Sequence, residues 1–224
     1  MLLLRPPGVY PAQGDTRMLC AALGAAGLPP GARVLDIGTG TGAVALTAAR
    51  HGAGEVTAVD ISLRAVLAAR INALVRGLRV RVVRGDLFAA VEGEVFDFIL
   101  ANPPYVAGDR PPSRHGRDRA WAAGPDGRRV LDLICRFAPR HLARGGTLLM
   151  VHSALSGVAA SLGGLRDAGL KASVVARRME PFGPVMRAGA AALEARGLIG
   201  PGQRHEELVV IRADRTEPCV GVLY

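Results

Sequence analysis

The chain has 224 residues, half of them hydrophobic, enough for one domain with a substantial core and no requirement for a second. Cys20, Cys135 and Cys219 are odd in number and widely spaced, with no CxxC or HxxxH pattern; the sequence offers neither a disulfide framework nor a metal site, and reduced thiols are expected. The net charge of +9 suits an acidic partner such as nucleic acid, a ribosome or an acidic protein, yet Lys171 is the only lysine, and an arginine-rich composition is also what a GC-rich coding sequence leaves on a solvated surface.

The opening stretch MLLLRPPGVYP has three leucines before Arg5 and two prolines, too short a core for a signal peptide, and no later apolar run is long enough to span a membrane. A cytoplasmic protein is expected. Residues 16 to 27 read as a helix ahead of the turn at Pro29, Pro30 and Gly31. Short apolar runs then alternate with helical stretches, and strands are expected at 32 to 38, 55 to 61, 78 to 86, 96 to 102 and 146 to 153. The clearest helix starts at Ser62, an N-cap, and places Leu63, Val66, Leu67, Ile71 and Leu74 on one apolar face before Gly77 closes it. Residues 128 to 142 and 154 to 168 are further helices, while 171 to 180 and 206 to 214 add strands at one edge.

Strands alternating with helices imply parallel crossovers. The expected fold is therefore α/β: a doubly wound, mostly parallel seven-stranded sheet with an antiparallel edge strand. Residues 1 to 224 form a single domain, with 1 to 31 as an N-terminal segment and helix. Residues 181 to 207 are an insertion before the last strand, with helical apolar spacing and a possible role as a substrate cap. The loop from 106 to 127, which carries Arg110, Arg114, Arg117 and Arg119, is expected to cover the site.

In such a sheet ligands bind beyond the carboxyl ends of the strands. The first strand ends in DIGTGTG, with Asp36, Gly38, Gly40 and Gly42; glycines let the backbone turn tightly and approach a ligand at a helix N-terminus. The second ends in Asp60 and Ile61, where a carboxylate accepts from both hydroxyls of a ribose. An acidic Asp36 before the first glycine sits poorly beside a pyrophosphate and suits a ligand carrying an ammonium or sulfonium. The third strand is followed by Asp86 and Leu87, where a carboxylate can accept from an adenine amino group. The fourth is stopped by Asn102, Pro103, Pro104 and Tyr105: proline removes a backbone donor and forces its predecessor extended, so the asparagine amide is held at the strand end.

DIGTGTG, AVDIS, GDLF and NPPY, in that order, resemble a class I S-adenosylmethionine-dependent methyltransferase with a Rossmann-like sheet. VYPAQGDTRMLCAAL (9 to 23) and HGRDRAWAAGPDGRRVLDLI (115 to 134) are similar to segments of the HemK/PrmC family, and most like its short branch, which methylates the glutamine of the Gly-Gly-Gln motif in peptide-chain release factors. The resemblance implies S-adenosylmethionine as cofactor, held by Thr16, Asp36, Gly38, Gly40, Asp60, Ile61, Asp86, Leu87 and Asn102. It makes Asn102, Pro103, Pro104 and Tyr105 the catalytic tetrapeptide, and Thr16 a residue near the cofactor. Two positions depart from the family pattern: Ala123 replaces a glycine, and Gly14 stands where an acidic residue is common. The resemblance also implies a small zinc-binding activator protein extending the sheet beside the third strand, where Arg79 and Arg81 alternate with Val80 and Val82.

Amide and aromatic amine nitrogens are poor nucleophiles because the lone pair is delocalised. Asn102 Oδ1 and the Pro103 carbonyl, each accepting one N–H, would fix such a nitrogen for in-line attack, with Tyr105 stacked on its flat face. The expected acceptor is a glutamine in a release factor or similar protein. The alternatives are an exocyclic amine of adenine or guanine in RNA or DNA, and a non-catalytic cofactor-binding relative.

Overall fold

The computed structural model of the protein describes residues 2–108 and 123–216. Arg110, Arg114, Arg117 and Arg119 of the expected covering loop lie outside the described residues, as does Cys219. Seven strands form one sheet: β1 (Arg33–Ile37), β2 (Glu55–Asp60), β3 (Arg81–Arg84), β4 (Phe96–Ala101), β5 (Leu142–Ser153), β6 (Lys171–Pro181) and β7 (His205–Asp214), in the order β3-β2-β1-β4-β5-β7-β6. The first five are parallel; β7 runs antiparallel between β5 and β6. The antiparallel pairing expected at one edge is thus present, with β7 one place in from it. Between the strands lie α1 (Gly14–Ala26), α2 (Ala43–Arg50), α3 (Leu63–Leu74), α4 (Arg129–His141), α5 (Val158–Asp167) and α6 (Pro184–Ala195).

The central strands read as unbroken apolar runs because helices cover both faces of a parallel sheet. Leu35, Ile37, Ile99, Leu100, Leu148 and Leu149 are completely buried there. Strand order reverses between β1 and β4, whose carboxyl ends carry Asp36 and Asn102.

The buried face expected for α3 is corrected by the structure. Leu63, Leu67, Ile71 and Leu74 are 43% to 78% exposed, and of that set only Val66 is buried. The helix turns Ala65, Ala68, Ala69, Ala73 and Asn72 inward instead. Close approach decides this: a Cβ on Gly42 would lie 3.2 Å from Ala69, so only small side chains fit between α3 and the glycine loop. Asn72, at the centre of that face, accepts from Leu4 N and donates to the carbonyls of Leu4 and Thr41, fastening the N-terminal segment. Apolar periodicity selects large residues and misses a face chosen for smallness.

The 181–207 stretch contains α6 as its extra helix. Phe182, Met186, Ala190, Leu193 and Ile199 make a small core of their own, and Val106 and Ala107, just past the NPPY tetrapeptide, pack against it.

Candidate active site

A cleft of about 500 Å³ opens at the carboxyl ends of the strands. Every residue singled out from the sequence as a site residue lines it, from Thr16 through Asp36, Asp60 and Asp86 to the NPPY tetrapeptide.

The glycine loop takes left-handed conformations at Gly38, Gly40 and Gly42, with φ of 71°, 55° and 85°. Gly38 N and Thr39 N both donate to the Val59 carbonyl, which ties the loop to β2. Asp36 is 1% exposed, and its Oδ2 accepts from Thr39 Oγ1 at 2.6 Å and from Ala45 N at 3.1 Å. Burial pushes its carboxyl up to about 6; the bonds from Thr39 and Ala45 pull it back, and nearby Asp60 raises it. Asp36 therefore holds the start of α2 while lining the cleft with a group whose charge is costly until a cation comes near.

Asp60 joins the two loops. Its Oδ2 accepts from Gly40 N at 2.9 Å and its Oδ1 from Ser62 N at 2.8 Å. Burial raises its pKa, and those two backbone bonds oppose the shift. A carboxylate has about four acceptor positions, so one on each oxygen is left for a ligand. Asp86 is exposed, and Leu87 follows it at φ 47°, a left-handed backbone that a bulky residue rarely adopts. The strained step sets Leu87 in the cleft wall.

Across the cleft, Asn102 Nδ2 donates to Thr16 Oγ1 at 3.2 Å. With the nitrogen end of the amide engaged, Oδ1 is the end left to accept. Thr16 Oγ1 in turn donates to Asp15 Oδ1 at 3.2 Å, so the asparagine is oriented by a relay from α1. Asp15 is 3% exposed, and its other oxygen accepts from Tyr10 at 2.9 Å and from Tyr105 at 3.3 Å. Burial raises both tyrosine pKa values, with Asp15 adding to the shift, so both phenols stay protonated as donors.

The stacking role read from the sequence meets a residue only 9% exposed: Tyr105 forms part of the cleft wall, but most of its ring is packed in the core. Its carbonyl accepts from Ser156 Oγ at 2.8 Å. Gly127 lies against the same carbonyl, where a Cβ would come within 2.2 Å. The loop after Tyr105 is thus clamped between chain segments far apart in sequence. Ala123, one of the two departures from the family pattern, is buried, and its carbonyl accepts from Arg129 N at the start of α4.

Sequence reasoning did not single out Tyr10, Gln13, Asp15, Glu180 or Glu206, all of which line the cleft. Asp15 and Tyr10 lie in the VYPAQGDT segment, noted only for its resemblance. Glu180 sits on the edge strand β6 and Glu206 on β7 beside it, an antiparallel pair whose register no local pattern specifies. Among the described residues no group of His, Cys, Asp or Glu is arranged to hold a metal, and no helix is long and apolar enough to cross a membrane.

Residues 2–178 match the methyltransferase small domain family model. A Methanocaldococcus jannaschii protein provisionally named a protein N5-glutamine methyltransferase is 35% identical over 158 residues, covering 68% of this chain and 78% of that one. The release factor glutamine methyltransferase of Deinococcus radiodurans is 45% identical over 124 residues, covering 53% of this chain, which spans 44% of that longer relative. The E. cuniculi Mtq2–Trm112 complex, responsible for methylation of the eRF1 translation termination factor, superposes with a TM-score of 0.64 at 22% identity, covering 93% of this chain and 99% of the matched one; the likeness is one of fold.

Proposed function

The chain belongs to the methyltransferase small domain family, and from that premise we propose that it transfers a methyl group from S-adenosylmethionine to the side-chain amide nitrogen of a glutamine in a protein, a peptide-chain release factor being the favoured acceptor. One observation carries the reading: Asn102 is held by Thr16 with its Oδ1 end left to accept, next to the Pro103 carbonyl, at the strand-order reversal. A site of that shape accepts two N–H groups from one planar nitrogen. The glutamine methyltransferase relatives support the same acceptor class.

The cleft fits the cofactor. Asp60 keeps acceptor positions for two ribose hydroxyls, Ile61 and Leu87 give apolar walls for a base beside Asp86, and the buried Asp36 gains from a cationic neighbour. When bound, S-adenosylmethionine supplies an electrophilic methyl group on a sulfonium. The chain's own residues do the rest. Asn102 Oδ1 and the Pro103 carbonyl accept from the two N–H bonds, fix the amide plane so that the nitrogen lone pair, perpendicular to that plane, is directed at the methyl, and stabilise the positive charge that develops there. Positioning of this kind lowers a barrier by up to roughly 7 to 11 kcal/mol where near-attack geometry is reached. The N-methylated amide cation is a strong acid and gives its extra proton to water, so no buried base is required.

Leu63, Leu67, Ile71 and Leu74 on α3 and Val75 at its end are exposed, and α3 packs beside β3, an edge strand of four residues. An apolar stripe next to an open edge is a surface for a partner. We read it as the seat of a small activator protein, in keeping with the Mtq2–Trm112 pairing in the neighbour. In this reading residues 1 to 224 act as one cytoplasmic methyltransferase domain, with α6 as a cap over the acceptor half of the cleft.

The second reading, methylation of an exocyclic base amine, is favoured by the net charge of +9. Incubation of the pure protein with labelled S-adenosylmethionine and separate protein and RNA fractions of the host divides them. Label in protein, mapped to a glutamine, is the expected result. Label in RNA alone supports the second reading, and label in neither, with the cofactor bound, leaves a non-catalytic relative.

A further inference from the structure

Arg128 breaks two local rules. It is the N-cap of α4, a position that favours a short oxygen-bearing side chain, and its own side chain makes no capping bond among the described residues. Its guanidinium also reaches the N-terminal end of α5, whose N-cap is Gly157, where a helix dipole disfavours a cation. A residue that opposes local preference twice is kept in place by another role. The side chain is only 12% exposed, and every nitrogen of the fork is engaged. Nη1 donates to the Ser156 carbonyl at 2.5 Å, to the Gly157 carbonyl at 2.9 Å and to Ser161 Oγ at 3.1 Å. Nε and Nη2 donate to Asp132 Oδ1, one turn along α4, at 3.0 and 2.7 Å, which balances the charge.

What Arg128 grips is the single turn Ala154–Ser156 after β5. Ser156 is buried, and its Oγ is the donor that holds the Tyr105 carbonyl. The turn just before Arg128 meets the same loop from the other side: Gly127 packs on the Tyr105 carbonyl, and Gly108 N donates to the Gly124 carbonyl at 2.9 Å. The cap is tied to that turn as well, through Arg196 Nη2, which donates to the Pro125 carbonyl at 2.6 Å. The NPPY tetrapeptide is therefore fixed at both ends. Thr16 holds it at Asn102, and Arg128, through Ser156, holds it at Tyr105. Between the two anchors stand two prolines with locked φ, so the direction of the Pro103 carbonyl follows from where the anchors lie.

We propose that Arg128 is a positioning residue for methyl transfer: acting through Ser156 and the Tyr105 carbonyl, it sets the direction of the Pro103 carbonyl, the second of the two groups that accept from the amide nitrogen. It touches neither cofactor nor acceptor. A planar guanidinium suits the task because one rigid fork bridges two backbone carbonyls, a hydroxyl and a carboxylate at once, which a lysine ammonium cannot do. The inference rests on the glutamine reading of the acceptor and adds a residue to its machinery that lies outside the cleft.

The test measures single-turnover methylation of a Gly-Gly-Gln peptide per molecule of protein that binds S-adenosylhomocysteine, so that unfolded protein does not count. Arg128→Gln should lower this rate by about tenfold or more while S-adenosylhomocysteine affinity stays within about twofold, since only the acceptor side is displaced. Arg128→Lys keeps the charge beside Asp132, is less exposed to folding defects, and should also be slow because the fork is gone. Adding Ser156→Ala to Arg128→Gln should deepen the loss by no more than about twofold, as both act on one carbonyl, whereas adding Thr16→Val should multiply it, as the two anchors are independent. Rates within about twofold of wild type in both Arg128 variants, or losses that multiply with Ser156→Ala, overturn the proposal. The carbonyl carbon resonance of Tyr105, recorded by NMR in the protein loaded with S-adenosylhomocysteine, supplies a readout independent of methylation: it should move in Arg128→Gln as it does in Ser156→Ala, with the side-chain amide of Asn102 unmoved. A Tyr105 carbonyl that moves in this way while no peptide is methylated sinks the glutamine reading and leaves the hold on the loop standing. Peptide methylated at the wild-type rate by both Arg128 variants, with the Tyr105 carbonyl unmoved, does the reverse.

Discussion

Thr16 and Asn102, 86 residues apart in the chain, meet at 3.2 Å, the threonine hydroxyl accepting from the asparagine amide. This contact decides which end of Asn102 is left to accept from the cleft. Asn102→Ala should lower single-turnover methyl transfer by about a hundredfold or more, with a far smaller effect on cofactor affinity, since both positioning and charge stabilisation are lost. Thr16→Val removes the anchor while keeping the shape and should cost about tenfold, while Thr16→Ser should restore most of the rate. Wild-type turnover in Asn102→Ala would mean that the tetrapeptide is only a turn.

Asp60 binds both loops through Gly40 N and Ser62 N and keeps an acceptor position on each oxygen. Asp60→Ala should weaken S-adenosylmethionine binding, measured calorimetrically, by about tenfold or more, as expected for lost hydrogen bonds to a charged group. Unchanged affinity would remove the ribose from this carboxylate.

Two buried groups pull stability in opposite directions with pH. The Asp36 carboxyl lies at about 6 when folded against 3.8 unfolded, so its penalty is fully present above pH 6 and gone below 3.8; stability from this group rises as pH falls through that window. His152 is buried, Nδ1 sits 2.8 Å from the Ser153 carbonyl, and burial lowers its pKa from 6.5 to about 4. Its contribution is full above pH 6.5 and lost as pH falls toward 4. Each spans about 3 kcal/mol, so between pH 6 and 4 they largely cancel. Asp36→Asn, which keeps an acceptor oxygen for Ala45, should raise the melting temperature at pH 7 and expose a steeper acid loss. A variant less stable than wild type at pH 7 would show that the bonds from Thr39 and Ala45 outweigh the cost of burial.

Gly127 has φ 76° and sits where a Cβ would come within 2.2 Å of the Tyr105 carbonyl. Gly127→Ala meets both backbone strain and a collision with backbone, and should cost about 2 kcal/mol or more in urea unfolding. The rate should fall with it, because the carbonyl belongs to the NPPY loop. Ser156→Ala, which removes only the hydrogen bond to that carbonyl, should cost about 1 kcal/mol.

Local chemistry in the sequence was enough to determine the strands of the parallel half, the glycine loop and the acidic or amide residue at each strand end. The reason is physical: apolar runs, Gly-rich turns and Asn-Pro-Pro-Tyr each specify their own backbone over a few residues, and parallel crossovers place successive strand ends on one side. Tertiary structure alone decided which groups those residues face. The face of α3 went to alanines because Gly42 comes within contact distance of Ala69, a closeness that periodicity does not encode. The hold on Asn102 came from α1, and the opposition of Glu180 and Glu206 from the register of two strands joined through α6. These are long-range pairings, set by how elements pack, and a one-residue slip in the ladder would have turned either glutamate away from the cleft.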